Sequence, residues 1–344
     1  MISNTIPAAF NKFRYCLTMV RMRINYVKSV VLLFGLLLPA LLYARGADEG
    51  NSELTIYSLK GPSGLGMIRL FEEPVRIGGF DVKMEALAQS DLMAARFISG
   101  EAKVGILPPN VAAKIAASGR DIRVAAVTGA GMLSLLTADP ALQRLEDLRG
   151  TTIDVAGQGT NTDYVLQRIL RFHGLVPHTD VALRYSLAYP EIAQSLIAGR
   201  ISTALLPEPF ATMALAGKPD LQSVADIQEE WAKAGGTGNF PMTLLVVDGA
   251  FASANAEAVA IILDAVRASI AWVKANPGEA GALAEKHDLG IRAAVAAAAI
   301  PKSNYTFIPA AEARPSLEAL FRVFLENDPV SIGGALPGDR FYHK

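Results

Sequence analysis

The chain has 344 residues, and its 32 basic and 33 acidic side chains leave a formal net charge of −1 at pH 7. This balance disfavours a surface for nucleic acids or anionic membranes, because both need an excess of Lys and Arg. Hydrophobic residues make up 51% of the chain, which is enough to form a large apolar core.

The N-terminus has the pattern of a secretory leader. Basic residues precede an apolar run over residues 30–42, and no acidic residue comes before Asp48. We expect a signal peptide over residues 1–44, cleaved after Ala44 or, as a second choice, after Ala47. The apolar run is short for a membrane span, although a retained N-terminal anchor stays open as an alternative. The pattern predicts a periplasmic or other extracytoplasmic protein.

The only cysteine of the chain, Cys16, lies in this predicted leader. The exported chain is therefore expected to have no disulfide, no thiolate metal site, no cysteine nucleophile and no lipid-anchoring cysteine. None of the histidines has the HExxH spacing of a metal site, and no GxSxG motif marks a serine nucleophile. We expect neither a metal nor a cofactor.

After the leader, the chain alternates between predicted strands and helices. Each strand is a short apolar run bounded by turn residues, and each helix has apolar residues at helical spacing. Strands are predicted over residues 54–59, 81–87, 104–107, 123–127 and 133–137, and helices over residues 67–72, 91–98 and 111–117. Ser90 is expected to cap the second of these helices. The alternation predicts parallel strands joined by helical crossovers.

The segment from Asp147 to Phe210 begins a second unit of the same kind. A strand over residues 153–156 leads into the turn GQGTNT at residues 157–162, and a helix follows. Glycines let a ligand approach the backbone, and the first turn of a helix binds anionic or polar groups. A plain tight turn stays open as an alternative. The turn lacks the Lys of a P-loop and the third Gly of a dinucleotide fingerprint, so nucleotide binding is disfavoured.

The chain then returns to the first unit and ends in a helical region. A strand is predicted over residues 242–247, followed by helices over residues 256–275, 280–286, 291–299 and 310–325. We expect an α/β protein with two lobes, the first formed by residues 52–137 plus 240–344 and the second by residues 138–239. Open α/β sheets bind ligands at the carboxyl ends of their strands, and two such lobes close by a hinge.

The predicted turns at the strand ends hold the candidate ligand-binding residues. These are Gly61, Ser63, Gly64, Gln89, Ser90, Pro108, Asn110, Thr128, Gly159, Thr160, Asn161, Thr162, Tyr189 and Glu208. Because all of them follow predicted strands, we expect them to meet at one cleft. For Glu208, which lies between two prolines, a contact with the ligand and a bond to backbone alone both stay open.

Several segments carry a resemblance to a known family. They are GPSGLG at residues 61–66, VGILPPNVAAKI at 104–115, DLRGTTIDVAGQGTNTDYVLQRIL at 147–170, LIAGRISTALLPEPFAT at 196–212 and SIGGALPGDRFYHK at 331–344. Together they resemble the periplasmic substrate-binding proteins of the NitT/TauT type, in the SsuA/THI5-like superfamily, over essentially the whole mature chain. The resemblance implies a type II periplasmic-binding-protein fold, a small-molecule solute as ligand, an ABC transporter permease as partner, and a monomer.

The resemblance also assigns roles to some of the candidate residues. Thr160, Asn161 and Thr162 would contact the polar head of the ligand. Pro108 and Asn110 would face it from the first lobe. Glu208 would close near the hinge.

We therefore expect a non-enzymatic solute-binding component of an ABC importer. The solute could be sulfonate-, nitrate- or taurine-like, or a vitamin precursor. Lys60 is the only cation in the predicted turns, so a neutral or zwitterionic heteroaromatic fits at least as well as a sulfonate. Three alternatives stay open: a pyrimidine-precursor synthase, a menaquinone-pathway lyase and a ligand-sensing subunit. The synthase would need a cysteine-rich motif, and the leader argues against a cytoplasmic lyase.

Overall fold

The structure is a computed structural model that describes residues 51–344; the predicted signal peptide lies outside the described residues. Its strands are β1 (Ser52–Leu59), β2 (Phe80–Leu87), β3 (Val104–Leu107), β4 (Ile122–Ala130), β5 (Leu133–Thr137), β6 (Thr152–Asp154), β7 (Ala182–Arg184), β8 (Thr203–Pro207), β9 (Gln222–Asp226), β10 (Pro241–Asp248) and β11 (Tyr305–Pro309). They form two separate sheets.

The helices connect the strands in chain order. They are α1 (Pro62–Leu65), α2 (Ile68–Glu72), α3 (Ser90–Ser99), α4 (Pro109–Ala117), α5 (Asn161–Phe172), α6 (Tyr189–Ile197), α7 (Phe210–Gly217), α8 (Ile227–Lys233), α9 (Gly249–Ala254), α10 (Ala256–Ala275), α11 (Pro277–Lys286), α12 (Ala293–Ala299) and α13 (Ala310–Asn327). None of the described helices has the length and apolar character of a membrane span.

The first sheet has six strands in the order β11-β4-β10-β3-β1-β2. β1 and β3 are parallel, as the alternation of strands and helices predicts. β10 lies between β3 and β4 and is antiparallel to both, with Leu244 opposite Leu107 on β3. β4 therefore runs in the same direction as β3, as predicted, but both of its hydrogen-bonded neighbours are antiparallel. The return strand enters the sheet in the opposite direction and separates β4 from the other predicted strands.

The second sheet has five strands in the order β7-β6-β8-β5-β9. β6 is parallel to β7 and β8, while β5 is antiparallel to β8 and β9. β5 thus pairs in the second sheet, whereas its position in the sequence predicted that it belongs with the first. The backbone turns from β4 to β5 at Gly131, whose φ of +52° lies in the left-handed region that favours glycine.

Side-chain alternation along the strands gives each sheet two apolar faces. On β10, Leu245 and Val247 pack towards α10, whereas Leu244 and Val246 pack in the cluster that contains Phe324 of α13. The same apolar cluster continues into the second sheet and includes residues of α5. A third cluster joins the second sheet to α6 and α7. Helices therefore cover both faces of each sheet, as the predicted type II periplasmic-binding-protein fold requires.

Most predicted helices occur at the expected places, but the predicted cap at Ser90 is wrong. α3 begins at Ser90, which is therefore its first helical residue, and the extended backbone before the helix belongs to Gln89. The side chain of Gln89 forms no capping hydrogen bond. Ser90 instead lines the cleft between the sheets.

Candidate functional site

A cleft of about 940 Å³ lies between the two sheets, and loops from both sheets line it. Of the predicted site residues, the lining contains Gly61, Ser63, Gln89, Ser90 and Pro108 beside the first sheet and Tyr189 beside the second. Each of them lies at or just after the end of a strand or at the start of a helix, where side chains and backbone groups of different elements meet.

The other predicted residues do not line this cleft: Gly64, Asn110, Thr128, Gly159, Thr160, Asn161, Thr162 and Glu208. Gly64 is buried, and a Cβ at this position would lie 2.6 Å from the carbonyl oxygen of Leu59. Asn110 is half-buried in the first turn of α4. The hydroxyl of Thr128 lies 3.2 Å from the hydroxyl of Thr243, which does line the cleft.

Hydrogen bonds within the turn at residues 157–162 fix its conformation. Gly157 and Gly159 have φ values of +74° and +73°, so both take the left-handed conformation that glycine allows. The hydroxyl of Thr160 donates to the carbonyl oxygen of Gly157 at 2.7 Å and lies 2.9 Å from the hydroxyl of Thr162. Only Gly157 of this turn lines the cleft, so the turn forms its wall chiefly through backbone.

Asp163 holds this turn in place, and the sequence analysis missed it. Its buried carboxylate accepts hydrogen bonds from the backbone N–H of Gly159 at 2.8 Å, from Gln167 Nε2 at 2.9 Å and from the hydroxyl of Tyr185 at 2.8 Å. A carboxylate in the first turn of a helix is stabilised by the helix dipole. Its position three residues after the N-cap Thr160 is the pattern that could have revealed it.

Asn161 connects α5 to the first sheet. The residue is only 7% exposed, and its Nδ2 donates to the carbonyl oxygen of Pro241 on β10 at 2.8 Å. Close by, the backbone N–H of Gly131 donates to Phe240 O at 3.0 Å, so the two segments that pass between the sheets lie side by side. Asn161 therefore bonds to one of the two segments that pass between the sheets. Its contact with a ligand stays a prediction.

Two aromatic side chains form part of the cleft wall beside the second sheet. The rings of Tyr189 and Phe210 are 5.9 Å apart between centroids with an interplanar angle of 17°, which is a stacked arrangement. The hydroxyls of Tyr189 and Thr162 lie 2.8 Å apart, which fixes the orientation of the tyrosine. Burial raises the pKa of Tyr189 to about 12, so this hydroxyl is neutral at physiological pH.

Glu208 lies behind this wall and bonds to backbone. The residue is 4% exposed, and its carboxylate accepts a hydrogen bond from the backbone N–H of Thr212, in the first turn of α7, at 3.1 Å. Burial raises the pKa of Glu208, because the charged carboxylate loses hydration there. The peptide bond between Glu208 and Pro209 is cis. Contact between Glu208 and a ligand stays a prediction.

Much of the remaining lining is apolar and was not anticipated from the sequence. The lining contains Met132, Met213 and Met242, together with Phe210 and several prolines. Met132 and Met242 lie on the two crossing segments, and the backbone N–H of Met132 is 3.5 Å from Met242 Sδ. Methionine has no pattern that separates a cleft position from a core position, so sequence alone gives no signal for it.

Charged groups are few at the cleft. Lys60 lines it, and its ammonium forms an ion pair with Asp288. Asp91 also lines the cleft, in the first turn of α3. Within residues 51–344, no group of three or more His, Cys, Asp or Glu side chains is arranged to hold a metal ion.

The sequence model of one protein family, described as the NMT1-like family, matches residues 82–286. The chain belongs to the NMT1-like family. This membership and the similar solved structures below confirm the predicted resemblance to SsuA-like binding proteins. No curated protein matches the sequence of this family member.

Solved structures of other proteins share the fold of this NMT1-like chain. An ABC transporter from Parabacteroides distasonis is 25% identical, with a TM-score of 0.75 over 86% of this chain and 99% of that chain. The periplasmic aliphatic sulphonate binding protein SsuA from Escherichia coli is 18% identical, with a TM-score of 0.69 over 86% and 93%. The periplasmic nitrate-binding protein NrtA from Synechocystis PCC 6803 is 10% identical, with a TM-score of 0.55 over 71% and 69%. The predicted type II periplasmic-binding-protein fold is confirmed.

Proposed function

We propose that this protein is the extracytoplasmic solute-binding component of an ABC importer. The observation that carries the proposal is the cleft of about 940 Å³, which loops of both sheets line. Its volume is in the range that suits a small molecule. Family membership and the similar structures of ABC-transporter binding proteins support the same function.

Each sheet with its helices forms one lobe in this proposal. The connections through Gly131 and Phe240 lie side by side, and a pair of adjacent crossings of this kind can act as a hinge. A solute that touches both lobes binds the closed state more tightly than the open state. Only that difference in affinity drives closure.

The protein would leave the cytoplasm by the predicted signal peptide, bind its solute as a monomer and dock on a permease in the membrane. The N-terminus of protein recovered from the cell envelope should then lie at residue 45 or 48. A full-length form recovered from the cytosol would contradict export.

The test is the recovery of a bound solute. The protein is purified without denaturation, and its small molecules are identified by mass spectrometry after denaturation of one half of the sample. We expect one compound at about one molecule per chain. The same compound, returned to the emptied protein, should be recovered unchanged. Conversion of this compound to a product would show that the protein is an enzyme and not a receptor. A protein that neither retains nor rebinds a small molecule would contradict the proposal.

A further inference from the structure

We infer that the cleft selects a flat, uncharged aromatic or heteroaromatic solute and excludes oxyanions such as nitrate and sulfonates. The inference rests on the proposed function, because it names the class of solute that the same cleft would bind. It is carried by three properties: the cations of the described lining, the acidic side chains at helix N-termini near the cleft, and the apolar surface of the lining.

The first property is the lack of an uncommitted cation in the lining. Oxyanions are usually bound by Arg or Lys side chains, which form charge-assisted hydrogen bonds with them. The lining contains no Arg, and its Lys60 is paired with Asp288. Asp91 adds a negative charge to the same lining. An anion that enters the cleft would therefore lose hydration without gaining a free cationic partner.

The second property is that acidic side chains accept hydrogen bonds at or just before the N-termini of three helices near the cleft. Free N–H groups at a helix N-terminus bind anions, but a carboxylate of the chain beside them repels a second negative charge. In α5 the carboxylate of Asp163 accepts from the N–H of Gly159. At α6 the carboxylate of Glu191 accepts from the N–H of Ala188 at 3.0 Å.

One further helix continues this pattern, and a second lacks one donor. At α7 the carboxylate of Glu208 accepts from the N–H of Thr212. α4 has Pro109 as its first residue, and a proline has no N–H to offer. An anionic ligand would therefore meet negative charge near the starts of α5, α6 and α7, and also at α3, whose first turn contains Asp91.

The third property is a surface that suits the face of a ring. Tyr189 and Phe210 are stacked in the wall, and Met132, Met213 and Met242 complete an apolar lining. Aromatic rings pack favourably on other rings and on thioether sulfur. The polar side chains of the lining other than Lys60 and Asp91 are uncharged: Ser63, Gln89, Ser90, Tyr189, Gln194 and Thr243. These groups can exchange hydrogen bonds with neutral ring substituents such as amides, amines or hydroxyls.

The test compares ligands of similar size and different charge. The probes are benzamide and nicotinamide as uncharged rings, benzenesulfonate as the anionic ring, and nitrate and methanesulfonate as small anions. The melting temperature of the emptied protein is measured against the concentration of each probe. We expect the uncharged rings to raise it and to bind at least about tenfold more tightly than benzenesulfonate, a difference of about 1.4 kcal/mol.

Equal or stronger stabilisation by any of the three anions would overturn the inference. So would a failure of both uncharged rings to stabilise the protein. The identity of the recovered solute separates this result from the proposed function. An anionic solute that binds and is recovered unchanged would refute the inference but agree with the proposed receptor function. Turnover of the solute would instead refute the receptor function.

A pair of variants tests the aromatic wall directly. Phe210→Leu removes the ring and keeps an apolar side chain, and Phe172→Leu is its control because Phe172 is exposed and does not line the cleft. We expect Phe210→Leu to weaken benzamide binding by about two- to twelvefold, the range of an aromatic pair, and Phe172→Leu to leave it unchanged. Equal binding of benzamide by both variants would show that the ring of Phe210 does not contribute to ligand binding.

Discussion

The amide of Asn161 is a buried polar group whose hydrogen bonding is half satisfied. Its Nδ2 bonds to Pro241 O, whereas its Oδ1 is buried without a hydrogen-bond partner in the described part of the chain. An unpaired buried acceptor costs free energy, and such a cost is tolerated where the other half of the group has a specific task. Here that task is to attach the start of α5 to the strand that returns to the first sheet.

The variant Asn161→Ala tests this role. Removal of the amide leaves Pro241 O without its donor, so the free energy of unfolding should fall by about 1–3 kcal/mol in a urea titration. The solute recovered from the protein should bind with nearly unchanged affinity. Asn110→Ala is the control, since Asn110 is half-buried in a helix of the first sheet. Unchanged stability together with a clear loss of affinity would instead establish the predicted ligand contact of Asn161.

Glu208 provides a second test at the scale of one residue. Because burial raises its pKa, the folded protein binds more protons at this site than the unfolded chain does. Stability then decreases as the pH rises from the ordinary carboxyl range through the raised pKa. Glu208→Gln keeps an acceptor for the N–H of Thr212 and removes the charge.

Glu208→Gln should therefore match the parent protein below the ordinary carboxyl pKa and exceed its melting temperature at neutral pH. Melting curves between pH 4 and 8 check the expected difference in slope. The ligand-induced rise in melting temperature should be the same in both proteins. A variant that is less stable at neutral pH and also unresponsive to the recovered solute would show that the carboxylate acts in binding.

At the scale of elements, the C-terminal end of α5 is held by a histidine between two acids. The ring of His173 lies 2.8 Å from Glu146 Oε1 and 2.6 Å from Glu230 Oε2, the latter on α8, and Lys233 also bonds to Glu230. Burial of His173 opposes protonation, but its bonds to the two carboxylates outweigh this effect, so the pKa of His173 is raised. The imidazolium can donate from both ring nitrogens at once, which the neutral ring cannot.

His173→Gln should reveal a pH-dependent contribution from this cluster. A raised histidine pKa adds stability below the ordinary imidazole pKa, and this stability is lost as the pH rises through the raised value. The pKa values of Glu146 and Glu230 are lowered, so the contribution also fades at acidic pH. The melting temperature of the variant should fall furthest below that of the parent protein between the carboxyl and the imidazole pKa ranges. The difference should be small at pH 9. A deficit that is independent of pH would assign the histidine a packing role alone.

Local elements could be read from the sequence because their signals are local. The apolar run of β3 and the amphipathic spacing of α10 give the observed bounds of residues 104–107 and 256–275. The order of strands could not be read in this way. The place of β10 between β3 and β4 depends on partners more than a hundred residues away, and no turn or cap signal specifies such a pairing.

The residues of the candidate site also divide into those that local signals predict and those that depend on distant partners. Gly61, Ser63 and Gln89 follow strands directly, and strand ends are the positions that an open α/β sheet presents to a cleft. Asn161 lies in a helical turn, where a rotation of about 100° per residue decides which neighbour a side chain meets. Its bond to Pro241 depends on how the two sheets meet, which the local pattern does not encode.

At the scale of the whole molecule, α5 is also connected to the first sheet through the end of α13, besides the two crossing segments. At the end of α13, which packs on the first sheet, Glu326 forms an ion pair with Arg168 at 2.8 Å, and Asp328 accepts from the hydroxyl of Tyr164 at 3.3 Å. We therefore expect closure of the proposed lobes to occur as a rotation about these contacts, since free separation of the sheets would break all of them.

Solute binding should then compact the protein. The cleft is lined from both sheets, so a bound solute replaces water between them and favours the closed state. Small-angle scattering with saturating recovered solute should give a smaller radius of gyration than the emptied protein, and the melting temperature should rise with solute concentration. Phe210→Leu, compared with the parent protein at a solute concentration near the parent's Kd, should show a smaller change in both quantities because it populates the bound state less. A radius of gyration that is identical with and without a solute shown to be bound would rule out closure, and the cleft would then act as a rigid binding site.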